Sequence, residues 1–387
     1  MFLDRERELG YLEQRYRRED AQFIVLYGRR RTGKTALLYQ FCAGKPAAFY
    51  MARPGEAPAR QLQRFSQLIQ DTFSAESAND ASFSYPSWEA AFIALVNLAQ
   101  DRRIVVVLDE YPYLVTANRE ISGHLLSAWD LYLQHTQIFL VLCGSTRSII
   151  HRELLAGDAP LYSRPTWTFH LRPLRIYDLH HFVPGYTPQQ RVEMYSVVGG
   201  MPLYIRQFSD QRSIFANIRR EILNVEGTLF SEPRLLLSEE MRDPLSYYDL
   251  LRAIAGGAHR PADIGRVTQI ENSVQIQRML RVLVSLDLVE QRVPVGSIPG
   301  RRRWSLYHLR DPFLRFWFRF VEPARGFLEI GAEQQTVLER IRREWPQFVA
   351  PVWERLAREH LYLVGAQRGL PFTLDEVGSW WSQGTQI

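Results

Sequence analysis

The chain has 387 residues, 46% of them hydrophobic and 23% charged, with a formal net charge of +5. That is ordinary globular composition, long enough for two to four domains, and the mild positive balance hints at an anionic partner. The longest apolar runs, "IVVVL" and "IFLVLC", are strand-sized, far from the roughly 18 residues of a membrane span, and an N-terminus charged from Asp4 onward does not read as a secretory signal.

Two cysteines, Cys42 and Cys143, do not make a disulfide framework; both sit in apolar runs and read as buried free thiols in a reducing, cytoplasmic setting. Among 47 basic side chains only Lys34 and Lys45 are lysine. The first lies in a patterned stretch. "QFIVLY" at 22–27 is apolar and β-branched and predicts a strand; "KTALLYQFC" at 34–42 has helical spacing. Between them Gly28 to Thr35 reads G-x-x-x-x-G-K-T, a phosphate-binding loop in the strand–loop–helix context that the motif requires.

In such a loop the backbone N–H groups of Gly28, Arg29, Arg30, Arg31, Thr32, Gly33, Lys34, Thr35 and Ala36 wrap phosphates, and the helix start adds a positive dipole end. Lys34 would reach the β- and γ-phosphates of ATP and Thr35 would ligate Mg²⁺. A compact ammonium suits that position where a broad planar guanidinium does not, which accounts for a lysine kept in a chain that otherwise uses arginine. The side chains of Arg29, Arg30 and Arg31 have two readings, phosphate contact or solvation.

"AAFYMA" at 47–52 predicts the next strand, and "SAESANDASFSYPS" a polar loop before a helix starting near Trp88. Ile104 to Leu108 form an apolar run suited to a buried parallel strand, with Asp109 and Glu110 at its C-terminal end, where open α/β sheets place their ligands. Asp109 would hold Mg²⁺ through water and Glu110 would act as general base on the attacking water. "QIFLVLCGST" is a further strand ending in Ser145 and Thr146, which read either as a γ-phosphate sensor or as a helix cap. "TWTFHL" at 166–171 supplies a fifth strand. Five strands with interleaved helices predict an α/β, doubly wound parallel sheet.

"FLDRERELGYLEQRY", "GRRRTGKTALL", "VVVLDEYPYL", "LVLCGST", "LYSRP" and "GGMPLY", in this order, resemble the archaeal-type ATPases of the STAND and AAA+ branch of P-loop NTPases, over nearly the whole chain. The resemblance implies an ASCE-type ATPase that binds ATP or ADP with Mg²⁺. It also implies that Phe2, Leu3 and Arg5 belong to an adenine-side motif, with Asp4 in place of the usual glycine or asparagine. Pro202 resembles a lid proline near the base. Arg164 stands where the family has an arginine after the sensor strand, an arginine finger or else a structural ion pair; Ser163 replaces the usual glycine before it.

Residues from about Pro173 to Met241 have a helical pattern and read as a lid over the nucleotide. "SYYDLLRAIAGG", "RPADIGRVTQ" and "NSVQIQRMLRVLVSLDL" then read as three helices, the last capped by Asn272 or Ser273. "VEQRVPV" and "WSLYHL" read as a hairpin, which completes a winged helix-turn-helix such as the family carries. From Ala258 to Phe320 there are 11 arginines against 5 acidic residues, a balance of +6, while the whole chain is +5. The positive charge of the chain therefore resides here, which favours DNA as partner over the alternative of protein docking. Arg301, Arg302 and Arg303 follow the turn signal "SIPG" and are expected at the wing tip, on a phosphate backbone.

Phe313, Phe316, Trp317 and Phe320 have helical spacing and read as core. The last segment resembles the start of a restriction-endonuclease-like domain, with Glu354 on its first helix; its acidic and E-x-K residues would fall beyond Ile387. His180 and His181 read as surface residues. The expected divisions are an ATPase domain at 1–172, a helical lid at 173–242, a winged helix at 243–322 and a C-terminal segment at 323–387. A nucleotide-controlled switch acting on nucleic acid is the leading expectation. A signalling or assembly ATPase whose winged helix docks protein, or an ATPase-linked nuclease whose active site lies beyond residue 387, are the alternatives; a second copy of the chain is among the partners considered, and no membrane partner is expected.

Overall fold

A computed structural model describes the chain except for residues 1–3, 74–81, 146–149, 151–152, 155–156, 158, 242, 296–304, 332–333, 369–376, 379–380, 383–384 and 387. It divides into two compact units, Met1–Arg172 and Pro173–Ile387.

The first unit is built on a parallel sheet. Its elements are α1 (Glu6–Tyr16), β1 (Gln22–Tyr27), α2 (Lys34–Cys42), β2 (Ala47–Met51), α3 (Pro58–Phe73), α4 (Trp88–Ala99), β3 (Ile104–Asp109), α5 (Tyr111–Ala117), α6 (Ile121–Leu131), β4 (Ile138–Gly144) and β5 (Trp167–His170). The strand order is β2-β3-β4-β1-β5, and every pairing is parallel. Strands β3 and β4 are buried along their full length, which is why they read as unbroken apolar runs rather than alternating ones.

Both faces of the sheet are covered. Ile24, Leu26, Val105, Val107, Phe139 and Val141 pack with Leu12 of α1 and Leu37, Leu38 and Phe41 of α2. Phe23, Val25, Val106, Leu108, Leu140 and Leu142 point the other way, into a core shared with α3 to α6. This is the period-2 alternation of strand side chains seen from both sides. Ser87 caps α4 by accepting from Ala90 N–H at 3.1 Å, which fixes the helix start where the sequence suggests it. A parallel sheet ends all its strands at one edge, and that edge carries the candidate site.

The second unit is mostly helical. It contains a short 3-10 helix (Ile176–His181), α7 (Pro188–Val198), α8 (Pro202–Ile205), α9 (Ile214–Glu221) and α10 (Glu232–Glu240). Then come α11 (Pro244–Ala255), α12 (Pro261–Thr268), α13 (Ser273–Ser285) and the antiparallel pair β6 (Val289–Arg292) and β7 (Leu306–Leu309). Asn272 is the cap of α13, accepting from Val274 and Gln275 N–H. His259, ahead of α12, pairs with the hairpin through Tyr307 N–H at 2.8 Å to its carbonyl. The chain closes with α14 (Pro312–Phe316), a π turn at Trp317–Val321, α15 (Arg325–Glu329), the 35-residue α16 (Gln334–Arg368) and two-residue strands at Trp381–Ser382 and Thr385–Gln386.

Phe313, Phe316, Trp317 and Phe320 are fully buried, as their helical spacing suggests, and the Trp317 indole donates to Phe230 O at 2.9 Å. Glu354 lies on α16 in an i,i+4 pair with Arg358. His180 and His181 are exposed, with their rings 3.7 Å apart. No helix among the described residues is long and apolar enough to cross a membrane.

Candidate functional site

The loop between β1 and α2 is held by its own lysine. Lys34, the first residue of α2, is buried, and its Nζ donates to Gly28 O at 2.9 Å and Arg29 O at 3.0 Å. Thr32 Oγ1 donates to Arg29 O at 2.8 Å across the same curve. Gly33 has φ 92°, a conformation that only glycine adopts without strain. Gly28 is needed for another reason: a Cβ there would lie 2.4 Å from Leu171 O, on the chain leaving β5.

At the tip of β3 the two acidic residues are set differently. Asp109 is fully buried and accepts from Thr35 Oγ1 at 2.7 Å and from Glu110 N–H at 2.9 Å. Glu110 is half-buried at φ 53°, left-handed, and so turns away from the strand line. Its Oε2 accepts from Ser145 Oγ at 3.1 Å, and Ser145 is buried at the end of β4. Thr35, Asp109, Glu110 and Ser145 thus form one hydrogen-bonded chain across three neighbouring elements. Beneath it the Cys143 thiol is held well above its usual pKa by burial and by the Asp109 carboxylate, so it is an inert neighbour. Cys42 is half-buried, and burial pushes its thiol up to about 11.

Arg29 is buried, and Arg30 and Arg31 are half-buried. Arg30 hydrogen-bonds the Tyr113 hydroxyl, with its guanidinium 6.0 Å from that ring, and Arg31 sits at φ 69°. Ala36 is exposed and offers only its backbone.

Two expected residues stand elsewhere. Arg164 forms a two-pronged ion pair with Asp130, Nε to Oδ1 at 3.0 Å and a terminal nitrogen to Oδ2 at 2.8 Å. Two residues later, Thr166 N–H donates to Phe23 O, at the beginning of β1. The phosphate loop follows the end of that strand, roughly 15–20 Å away. Arg164 is therefore not a finger for its own chain's loop, and the ion-pair alternative describes it. It borders an open pocket of about 500 Å³ with Asp20, Trp129, Asp130 and Gln134 at that far end. Arg5 is buried and donates to backbone carbonyls, Thr32 O at 3.1 Å and Arg172 O at 2.8 Å, rather than presenting its guanidinium to a base.

Pro202 opens α8 in the second unit, after Gly199 at φ 63°. Phe2, Leu3, Thr146, Arg301, Arg302 and Arg303 lie outside the described residues.

Sheet order, loop and acidic strand end together define a P-loop ATPase domain. The chain belongs to a family described as an ATPase domain predominantly from Archaea, whose model matches residues 2–208. Residues 317–387 match a second family, described as "Archaea bacterial proteins of unknown function". The chain is 27% identical over its whole length to an uncharacterized protein of Methanocaldococcus jannaschii, covering 83% of that protein. It is also 47% identical over 45 residues to an uncharacterized ATP-binding protein of the same organism, 12% of this chain and 76% of that one. Among solved structures, a Walker-type ATPase of Pyrococcus abyssi superposes with a TM-score of 0.62 at 19% identity, over 82% of this chain and 96% of that chain. The fold is thus that of Walker-type ATPases.

Proposed function

We propose that the chain binds and hydrolyses ATP with Mg²⁺ at the β1–α2 loop, as a slow nucleotide-controlled switch. The observation that carries this reading is the chain from Thr35 through Asp109 and Glu110 to Ser145 at the mouth of the loop. Thr35 Oγ1 and the Asp109 carboxylate, 2.7 Å apart, are hard oxygen donors of the kind Mg²⁺ takes in small number beside phosphate oxygens. Bound Mg²⁺ would supply charge neutralisation at the phosphates.

The chain's own residues do the rest. The buried Lys34 ammonium leaves its two carbonyl partners for phosphate oxygens, and the freed loop offers N–H groups. Glu110 takes a proton from the attacking water, and Ser145 holds that carboxylate in place. The test is steady-state ATP turnover by wild type and Glu110→Gln, with binding measured by titration. Binding retained with turnover lost supports the reading; equal turnover sinks it.

Nucleic acid is the partner we favour for the α11–α13 and β6–β7 module, read as a winged helix. Along α13, Gln275, Gln277, Arg278 and Arg281 are exposed, and the helix carries no acidic residue. Such a face suits a phosphate-lined groove. Salt-dependent binding to a short duplex supports it, and its absence moves the module to protein docking. A lid role for residues 173–242 rests on their helical pattern, and the role of Pro202 and a nuclease-like reading of the segment from 323 onward rest on the resemblance alone.

A further inference from the structure

Arg5 is 7% exposed and carries three hydrogen bonds that converge from separate parts of the first unit. One terminal nitrogen donates to both Thr32 O at 3.1 Å and Arg172 O at 2.8 Å, and the other to Glu8 Oε1 at 2.9 Å. The backbone that delivers it is left-handed at two successive non-glycine residues, Asp4 at φ 59° and Arg5 at φ 107°. Such geometry persists only where the surroundings over-determine it.

The two carbonyls differ in kind. Arg172 directly follows Leu171, which is fastened to the sheet. Leu171 N–H donates to Tyr27 O at 2.7 Å, and Leu171 O closes on Gly28. Thr32 belongs to the phosphate loop. A trans peptide points its C=O and the following N–H to opposite sides. Fixing Thr32 O on Arg5 therefore fixes the Gly33 N–H on the far side of that peptide plane.

We propose that Arg5 is a positioning residue for the phosphate loop: it clamps the Thr32 carbonyl to the sheet-anchored chain at Arg172 and so aims the Thr32–Gly33 peptide N–H at a bound phosphate. The inference rests on the ATP reading of the loop. It separates Arg5 from the nucleobase. Its effect falls on any ligand that has the phosphates, with or without adenine.

The test uses the full chain and two variants, Arg5→Ala and Arg5→Lys, titrated with Mg·ATP and with inorganic tripolyphosphate. Circular dichroism is recorded at the same temperature. Lysine keeps the charge but cannot fork between both carbonyls and Glu8. The expected result is that Kd for both ligands rises together, by about tenfold in each variant, while the folded signal is retained. Loss of ATP affinity with unchanged tripolyphosphate binding would assign Arg5 to the base and overturn the proposal. Unchanged affinity for both ligands with a lowered Tm would make it a purely structural residue, again against it. If wild type binds neither ligand, the loop itself is not a phosphate site, and the inference goes with that reading.

Discussion

The Ser145 hydroxyl donates to Glu110 Oε2 across 3.1 Å, joining the tip of β4 to the residue after β3. The two strands are neighbours in the sheet; Ser145 is buried and Glu110 half-buried. A hydrogen bond to a carboxylate contributes roughly 1.5–3 kcal/mol. If that energy holds Glu110 toward the attacking water, Ser145→Ala lowers kcat by about tenfold or more and leaves ATP affinity alone. Single-turnover hydrolysis beside equilibrium titration separates the two effects, and a change confined to Kd would show that Ser145 reads the phosphates directly.

Glu110→Gln preserves size and the Ser145 contact but cannot accept a proton from water. General bases contribute roughly 10²–10⁴-fold, so turnover falls by that order with binding intact. A variant that keeps more than about a tenth of the activity places the base elsewhere.

Lys34→Ala removes the buried ammonium that bonds Gly28 O and Arg29 O and would meet the phosphates. Leaving a buried charge unpaired costs about 3 kcal/mol or more, which is roughly a 100-fold rise in Kd for ATP. Near wild-type affinity by calorimetric titration would remove the loop from the site.

What could be read beforehand follows from local constraints. The strand interiors at 23–26, 104–108 and 138–143 are visible because burial on two faces selects apolar side chains. The loop is visible because Gly28, Gly33 and Lys34 each answer a separate steric or charge demand. The Ser145–Glu110 bond was hidden because it depends on β3 lying beside β4, an order that one chain does not spell out. Of the two readings of Arg164, finger or ion pair, the family resemblance favours neither, and only its pairing with Asp130 separates them. Arg164 precedes β5, and a residue just before a parallel strand stands at the end where strands begin, away from the loop. The Arg5 partners Thr32 and Arg172 accept through main-chain oxygens, which leave no mark on residue identity.

Gly28→Ala tests the packing behind the loop. Its Cβ would meet Leu171 O at 2.4 Å, a backbone atom of the residue whose N–H is tied to Tyr27 O. Overpacking of this kind costs about 1–3 kcal/mol, a few degrees in the Tm of a unit this size. Thermal unfolding followed by circular dichroism measures it, and an unshifted Tm would mean that the β5 exit gives way freely.

If the module of α11–α13 and β6–β7 binds a duplex, as proposed, its sequence holds two sets of arginines that would meet phosphates. Arg278 and Arg281 are exposed on α13, and Arg301 to Arg303 follow the turn signal in the sequence. Each arginine that neutralises a phosphate releases counterions, so its removal flattens the dependence of affinity on salt. Arg278→Ala with Arg281→Ala should reduce the slope of log K against log salt by about 2, and alanine at 301–303 by about 2–3. If α13 lies in a groove, its pair also changes the preference between duplex sequences, because base edges are within reach there, whereas the 301–303 variant weakens all duplexes alike. Turnover without DNA stays unchanged in both variants, since the phosphate loop belongs to the other unit. Fluorescence anisotropy over a salt series, on two unrelated duplexes, gives both readouts. Unaltered slopes in both variants would assign the charge of this module to a protein partner and leave the ATPase without a nucleic-acid ligand.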